Sequence, residues 1–301
     1  MYYYSVNEYL QNEYGEKIYK LSLSISNTCP NRDGTVGTSG CIFCSNSGSG
    51  DFTKLYPTPI DKQIEFAKSL IKNKKHSDKY IAYFQSFTST YQDIDILKNV
   101  LYKVIKRDDI LILSVATRPD CLSEEIIKLL SDLNKIKPVW VELGLQTLNE
   151  KTVKLINRCY KNDVYFDAVD KLHKENINVI THVILGLPYE TEKDIFSTIG
   201  KVSEVTDGIK IQLLHVLKNT VLEKMYKDNL FKALTLEEYT VLLSECIERL
   251  DKRVVIHRMT GDGNKKELIA PLWSADKKKT INYIRKYFID NDITQGKKVG
   301  I

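Results

Sequence analysis

The sequence predicts an α/β protein whose strands run mostly parallel. Three observations carry that prediction. Segments of strand character alternate with amphipathic helical segments from about residue 20 to 216, the pattern of repeated βα units. The residues best able to carry chemistry fall at or just after the strand ends, where a barrel of such units gathers its reactive groups. No Gly-x-Gly-x-x-Gly turn follows any strand, so the usual mark of a dinucleotide-binding sheet is missing. An open doubly wound sheet shares the alternation. The placement of the reactive residues, not the alternation, points to a barrel.

Taken in order, residues 1–20 are polar and tyrosine-rich and predict a short helix packed on the body. Over 20–26, Leu21, Leu23 and Ile25 alternate with serines, the period of a strand. A glycine-rich loop follows. Residues 59–75 read as a helix with Ile64, Ala67, Leu70 and Ile71 on one face. Strands are then predicted over 80–87, 110–116, 139–145, 178–185 and 208–216, with helices over 94–105, 123–133, 150–158, 163–175 and from 191 onward. Thr191 and Asp194 have the spacing of a capping box. Beyond 220 the rhythm breaks. Thr235 and Glu238 cap a helix to 250, 254–256 is a short strand, 257–264 is a glycine-containing turn, and a basic helix covers about 277–288. The reading divides the chain into βα units over 1–220 and a basic α/β extension over 221–301.

The 301 residues are enough for one large domain with an appendage. Hydrophobic residues make up 43% and charged residues 28%, ordinary for a soluble enzyme. No apolar run approaches the roughly 20 residues that span a bilayer, and the N-terminus lacks the regions of a signal peptide. The expectation is a cytoplasmic protein with no membrane partner, whose clustered cysteines serve metal or redox chemistry rather than disulfides. Residues 251–301 hold 12 Lys/Arg against 6 Asp/Glu, so the other 250 residues carry about −1 of the +5 total. A cationic end on a near-neutral body points to a polyanion such as RNA, and a solvated lysine-rich surface gives the same count.

The stretch 27–52 holds three of the six cysteines among glycines and small polar residues. Such a loop packs no core of its own, but its backbone can wrap a compact group. The spacing is Cys29-x11-Cys41-x2-Cys44. A closed zinc site wants four protein ligands, and the next histidine along the chain is His76. A four-iron cluster on three cysteines leaves one iron open. The loop therefore favours an open cluster over zinc or unligated thiols. Cys121, Cys159 and Cys246 stand alone and read as inert thiols.

At this point the chain resembles a family. It is similar to the radical S-adenosylmethionine (SAM) enzymes, and within them to a bacterial group allied to the Elongator catalytic subunit. The matching stretches are Cys29-Pro-Asn-Arg-Asp-Gly-Thr35, Gly40-Cys-Ile-Phe-Cys44, Gly48-Ser-Gly-Asp-Phe52, Tyr83-Phe-Gln-Ser86, Thr117-Arg-Pro-Asp120, Glu142-Leu-Gly-Leu-Gln-Thr147, Gly186-Leu-Pro188, Leu214-His-Val-Leu217 and His257-Arg-Met-Thr-Gly261. They span nearly the whole chain. The resemblance implies a partial (βα)6 TIM-type barrel, a [4Fe-4S] cluster on Cys29, Cys41 and Cys44, and SAM on the open iron. It further implies one-electron cleavage of SAM to a 5′-deoxyadenosyl radical that abstracts hydrogen from the substrate. A reductant such as flavodoxin or ferredoxin is then needed.

Two departures stand out. The first cysteine arm is longer than the common Cys-x3-Cys-x2-Cys, and Tyr83-Phe-Gln-Ser86 replaces the Gly-Gly-Glu often found after the second strand. No stretch of these 301 residues resembles the acetyltransferase domain of the Elongator subunit, so the resemblance carries no expectation of acetyl-CoA chemistry. By the same resemblance Gln85, Glu142, Gln146, Arg158 and Gly186 are expected to bind SAM, with Arg158 as a carboxylate clamp. Arg118, His215 and Arg258 are expected to bind substrate. His182 could also face it, and Trp273 is expected in the core. The expected substrate class is a tRNA base. The alternatives are a small molecule, or a zinc-stabilised RNA-binding module without catalysis.

Overall fold

The computed structural model describes residues 2–45, 48, 53–72, 77–261 and 265–300. Helix α1 (Val6–Tyr14) leads into β1 (Tyr19–Leu23), and the cysteine loop into α2 (Ile60–Ile71). There follow β2 (Tyr80–Phe84), α3 (Ile94–Ile105), β3 (Ile110–Thr117), α4 (Glu124–Asn134) and β4 (Val139–Gln146). Next come α5 (Glu150–Leu155), α6 (Asn162–Lys174), β5 (Asn178–Leu185), α7 (Glu192–Val205) and β6 (Gly208–Leu213). The C-terminal part holds β7 (Val216–Leu217), α8 (Val221–Lys227), α9 (Leu236–Arg249), β8 (Val255–Arg258), β9 (Leu268–Ala270) and α10 (Lys277–Asp290).

All six expected βα strands pair in parallel in sequence order, and β8 adds to β6, giving β1-β2-β3-β4-β5-β6-β8. The sheet curls into a half-barrel rather than an open doubly wound sheet. It therefore has seven strands, not six. The extra strand comes from the extension, whose α9 also packs against α7 in the outer helical layer. The predicted sixth strand stops at Leu213, and Val216–Leu217 turns away to pair antiparallel with β9, so residues 208–216 are not one strand. The second strand stops at Phe84 rather than 87, and Phe87 has φ 55°.

Local chemistry explains these elements. Asp93, Ser123 and Thr220 cap their helices by accepting first-turn N–H groups. Thr191–Asp194 and Thr235–Glu238 form complete capping boxes. Between sheet and helices lies an aliphatic core that includes Leu21, Leu113, Val141, Leu172 and Ile211. The inside of the barrel is different. At its N-terminal end Ile81, Ile112, Trp140 and Ile180 pack with Leu10 of α1 to form an apolar plug. Above that plug the inward side chains turn polar.

Candidate functional site

One cavity of about 370 Å³ opens at the carboxyl ends of the strands, a size in the range of small-molecule sites. Cys29, Cys41 and Cys44 lie on its rim, and Glu142, His182 and Lys210 on its floor. None of the three thiols forms a disulfide among the described residues. Among the described residues no three His, Cys, Asp or Glu side chains are grouped as a site for a single metal ion.

The loop is held by its own polar residues. Asn31, fully buried, donates through Nδ2 to the Asn157 carbonyl at 2.6 Å and to Cys41 Sγ at 3.7 Å. Asn157 returns a bond to the Gly40 carbonyl at 2.8 Å. The Arg32 guanidinium donates to the carbonyls of Cys44 and Ser45 and lies over the Phe87 ring. Burial, reinforced by Cys44, pushes the Cys41 thiol up to about 12. This sulfur is therefore held protonated, and iron bound there would displace the proton. Gly48 is placed against Phe87; the rest of the expected Gly48–Phe52 match lies outside the described residues, as do His76 and the 262–264 part of the expected turn.

Beneath the rim, inward side chains from six strands meet. Glu142 of β4 has no exposed surface. It accepts from Lys210 of β6, from His182 Nε2 of β5 at 2.7 Å, from Ser114 Oγ of β3 at 2.8 Å and from Lys20 Nζ of β1 at 3.4 Å. Lys210 also donates to the Tyr83 hydroxyl of β2 at 2.9 Å. Gln212 Nε2 lies 3.4 Å from His182 Nδ1, which fits His182 carrying its proton on Nε2. Burial alone would raise the Glu142 carboxyl, but the two ammonium groups hold it well below the ordinary range. Burial pushes Lys210 well down while Glu142 pulls it back, and burial with Lys210 lowers His182 to about 4.

The expected site residues divide into groups. Gln85, Glu142, Gln146, Arg118, His215 and Arg258 all line the cavity. Gln146 is held at φ 66°, a conformation that costs a non-glycine residue about 1 kcal/mol or more. Its Oε1 is buried without a hydrogen-bond partner among the described residues. A Cβ on Gly144 would lie 2.7 Å from its Nε2, so Gly144 makes the room for this amide. A buried orphan acceptor on the wall fits a ligand that donates, as the amino group and ribose hydroxyls of SAM do. The thiol rim with its N–H···S contact fits a cluster. Arg118 sits beside the rim, locked bidentately to Asp120 at 2.9 and 2.6 Å and donating to the Arg158 carbonyl.

Two expectations are corrected. Arg158 also borders the cavity, but its guanidinium is 1% exposed and donates to the carbonyls of Leu145, Thr147 and Tyr160 and to Asn162 Oδ1. It braces the turn after β4 and has no N–H left for a carboxylate clamp. Gly186 is not on the cavity wall; at φ 88° it ends β5, and a Cβ there would press on Leu234 at 3.1 Å. Trp273 packs on the core as expected and donates to the Leu234 carbonyl. Sequence reasoning missed Lys20, Tyr83 and Lys210 as site residues. A signal existed: strands buried in a parallel sheet are near-continuously apolar, yet Gly208-Ile-Lys-Ile-Gln-Leu213 puts Lys210 and Gln212 on one face.

Glu190 gives the site's surroundings a pH response. Thr147 donates to its carboxyl, and burial pushes that carboxyl up to about 7 from 4.5. Between those values the folded chain binds more protons than the unfolded one. Stability is then full below pH 4.5, falls as pH rises toward 7 and levels off above. Partial exposure tempers the loss to about 1–2 kcal/mol. Urea unfolding of Glu190→Gln should show the variant more stable than the parent by that amount at pH 8, with no gain at pH 4; equal stabilities at both pH values would refute this.

Comparison with known proteins places these features. A family model described as "Radical SAM superfamily" matches residues 23–202, and one described as "Radical_SAM C-terminal domain" matches 206–290. The chain is 38% identical over 296 residues to "Uncharacterized protein YtqA" of Bacillus subtilis, covering 98% of this chain and 92% of that one. It is 32% identical over 293 residues to "Protein YhcC" of Escherichia coli, covering 97% and 93%. Among solved structures, an N-terminally deleted Elp3 of the archaeon Methanocaldococcus infernus superposes with TM-score 0.66 at 21% identity. That match covers 77% of this chain and 58% of the longer Elp3 chain, and at this identity it speaks to the fold. No helix among the described residues is long and apolar enough to cross a membrane.

Proposed function

Because this chain belongs to the radical SAM superfamily, we propose that its barrel cavity is a reaction chamber for a small-molecule substrate. The family's cofactors are a [4Fe-4S] cluster and SAM, and its members need an electron donor; flavodoxin or ferredoxin is the proposed one. When bound, these cofactors supply a 5′-deoxyadenosyl radical that takes a hydrogen atom from an unactivated carbon. Cys29, Cys41 and Cys44 would hold the cluster, and Gln146 would accept from SAM. Arg118, fixed by Asp120, supplies positive charge beside the rim. The observation that carries the small-molecule reading is the cavity itself. It runs from the cysteine rim down to the Glu142 layer inside the barrel, so a substrate inside is screened from stray hydrogen donors.

A tRNA base is the second reading. It is favoured by the exposed run Lys277-Lys278-Lys279 opening α10 in the cationic C-terminal end, and a base would have to flip into the cavity. The zinc-held module without catalysis falls with the family match. The test is anaerobic reconstitution with iron and sulfide, then SAM and dithionite. We expect 5′-deoxyadenosine at a rate that added bulk tRNA leaves unchanged. A rate that rises with tRNA and loses the increment steeply with salt would replace the small molecule by RNA.

A further inference from the structure

The floor of the cavity carries more positive than negative charge, and we propose that it is a subsite for an acidic group of the substrate, a carboxylate or a phosphate. The proposal rests on the reading of the cavity as the reaction chamber. Lys20 and Lys210 both reach Glu142, so two ammonium groups share one carboxylate. Glu142 is the lone Asp or Glu among the described residues of the wall. Arg118 has its own carboxylate in Asp120, and the Arg32 and Arg158 guanidiniums donate to carbonyls of their own loops, which leaves Glu142 to the two lysines. Neighbouring donors are neutral: the Tyr83 hydroxyl, the Gln212 amide and an imidazole whose Nε2–H already serves Glu142.

Lys210 is 2% exposed and must share its one counter-charge with Lys20, a quarter of whose side chain is exposed, and a buried ammonium with a shared counter-charge is costly. Burial pushes both lysines below their ordinary range. An incoming anion relieves that cost, and a neutral molecule does not. Depth also matters. Glu142 and Gln146 are four residues apart on β4, about 13 Å at roughly 3.3 Å per residue. An acid group anchored on Lys210 therefore leaves the substrate's carbon skeleton pointing up toward the rim. The chemistry this floor recognises is an organic acid or phosphoester with several carbons beyond its charged end. A nucleobase brings no such group to the floor.

The test is calorimetric titration of the iron-loaded protein at fixed ionic strength with glutarate, inorganic phosphate, neutral glutaramide and polyuridylate. Glutarate or phosphate should bind saturably and glutaramide should not; the tighter of the two names the headgroup. Glu142→Gln removes the competing carboxylate and should tighten anion binding about tenfold or more, while Lys210→Met weakens it by a similar factor. Lys210→Arg, which keeps the charge and guards against a folding defect, should stay near the parent. A merely structural Glu142 predicts the opposite sign for Glu142→Gln. The proposal is overturned if neither small anion binds, if Glu142→Gln fails to tighten binding, or if polyuridylate alone binds. Separately, 5′-deoxyadenosine is assayed with SAM and dithionite. Nucleoside without anion binding sinks the subsite and keeps the radical reading; anion binding without nucleoside sinks the radical reading and the substrate role with it.

Discussion

Exchanging Cys41 for serine should strip the protein of its brown chromophore and lower 5′-deoxyadenosine formation by more than about 100-fold, since even outer partners of a ligand are typically worth 10–100-fold. The argument starts from burial. Cys41 lies between Cys29, Cys44 and Arg118, with an amide N–H from Asn31 on its sulfur. To hold iron this thiol would give up its proton, and the Asn31 N–H and the Arg118 guanidinium would stabilise the resulting thiolate. A serine hydroxyl is a far harder donor to deprotonate and a poorer match for iron. The fold should survive, because the loop is tied down by Asn31, Asn157 and Arg32 through backbone carbonyls and not through the thiols. Iron and sulfide content, visible absorption and product are the measurements, with Cys246→Ser as control, since that thiol is buried in the aliphatic core and is not among the cavity-lining residues. A Cys41→Ser protein that keeps about four irons and full product yield would refute the assignment of this loop.

Much of this was legible in the sequence, for physical reasons that can be named. The βα alternation reports directly on burial period, so the six strands and their helices fall close to where periodicity puts them, and 94–105 and 178–185 match residue for residue. The cysteine rim was legible because thiols in a glycine-rich loop have few uses. What stayed hidden depends on tertiary pairing. Val255–Arg258 is too short to declare itself as a barrel strand, and its partner β6 is some 45 residues away in the chain. The Glu142 layer is assembled from six strands, one side chain each, so no local window contains it. Arg158 misled because a motif names a residue and not its partners; here the partners are the carbonyls of its own turn.

That same layer gives the second large effect. Glu142→Ala should lower the free energy of unfolding by about 3–5 kcal/mol, the range seen when one partner of a buried ion pair is removed. The carboxylate is fully buried and accepts from Lys210, His182, Ser114 and Lys20. Without it Lys210, 2% exposed, loses its counter-charge but keeps the Tyr83 hydroxyl as an acceptor. Lys20 suffers less, because its side chain is a quarter exposed and can turn toward solvent. Lys210 must then give up its proton or drag water into the barrel. The size of the loss is thus set by Lys210 and not by the cavity left behind. Two comparisons separate these causes. Glu142→Gln keeps the volume and one acceptor, so it should lose less than Glu142→Ala. Lys210→Met combined with Glu142→Ala should be more stable than Glu142→Ala alone, because the uncompensated ammonium is gone. Urea unfolding at pH 7 reads all three. If the double variant is less stable than Glu142→Ala by the full cost of Lys210→Met alone, the two side chains are uncoupled and the ion pair is not what holds the floor together. If it recovers stability while Glu142→Gln also tightens anion binding, the layer holds a surplus of positive charge that the fold tolerates and the ligand completes.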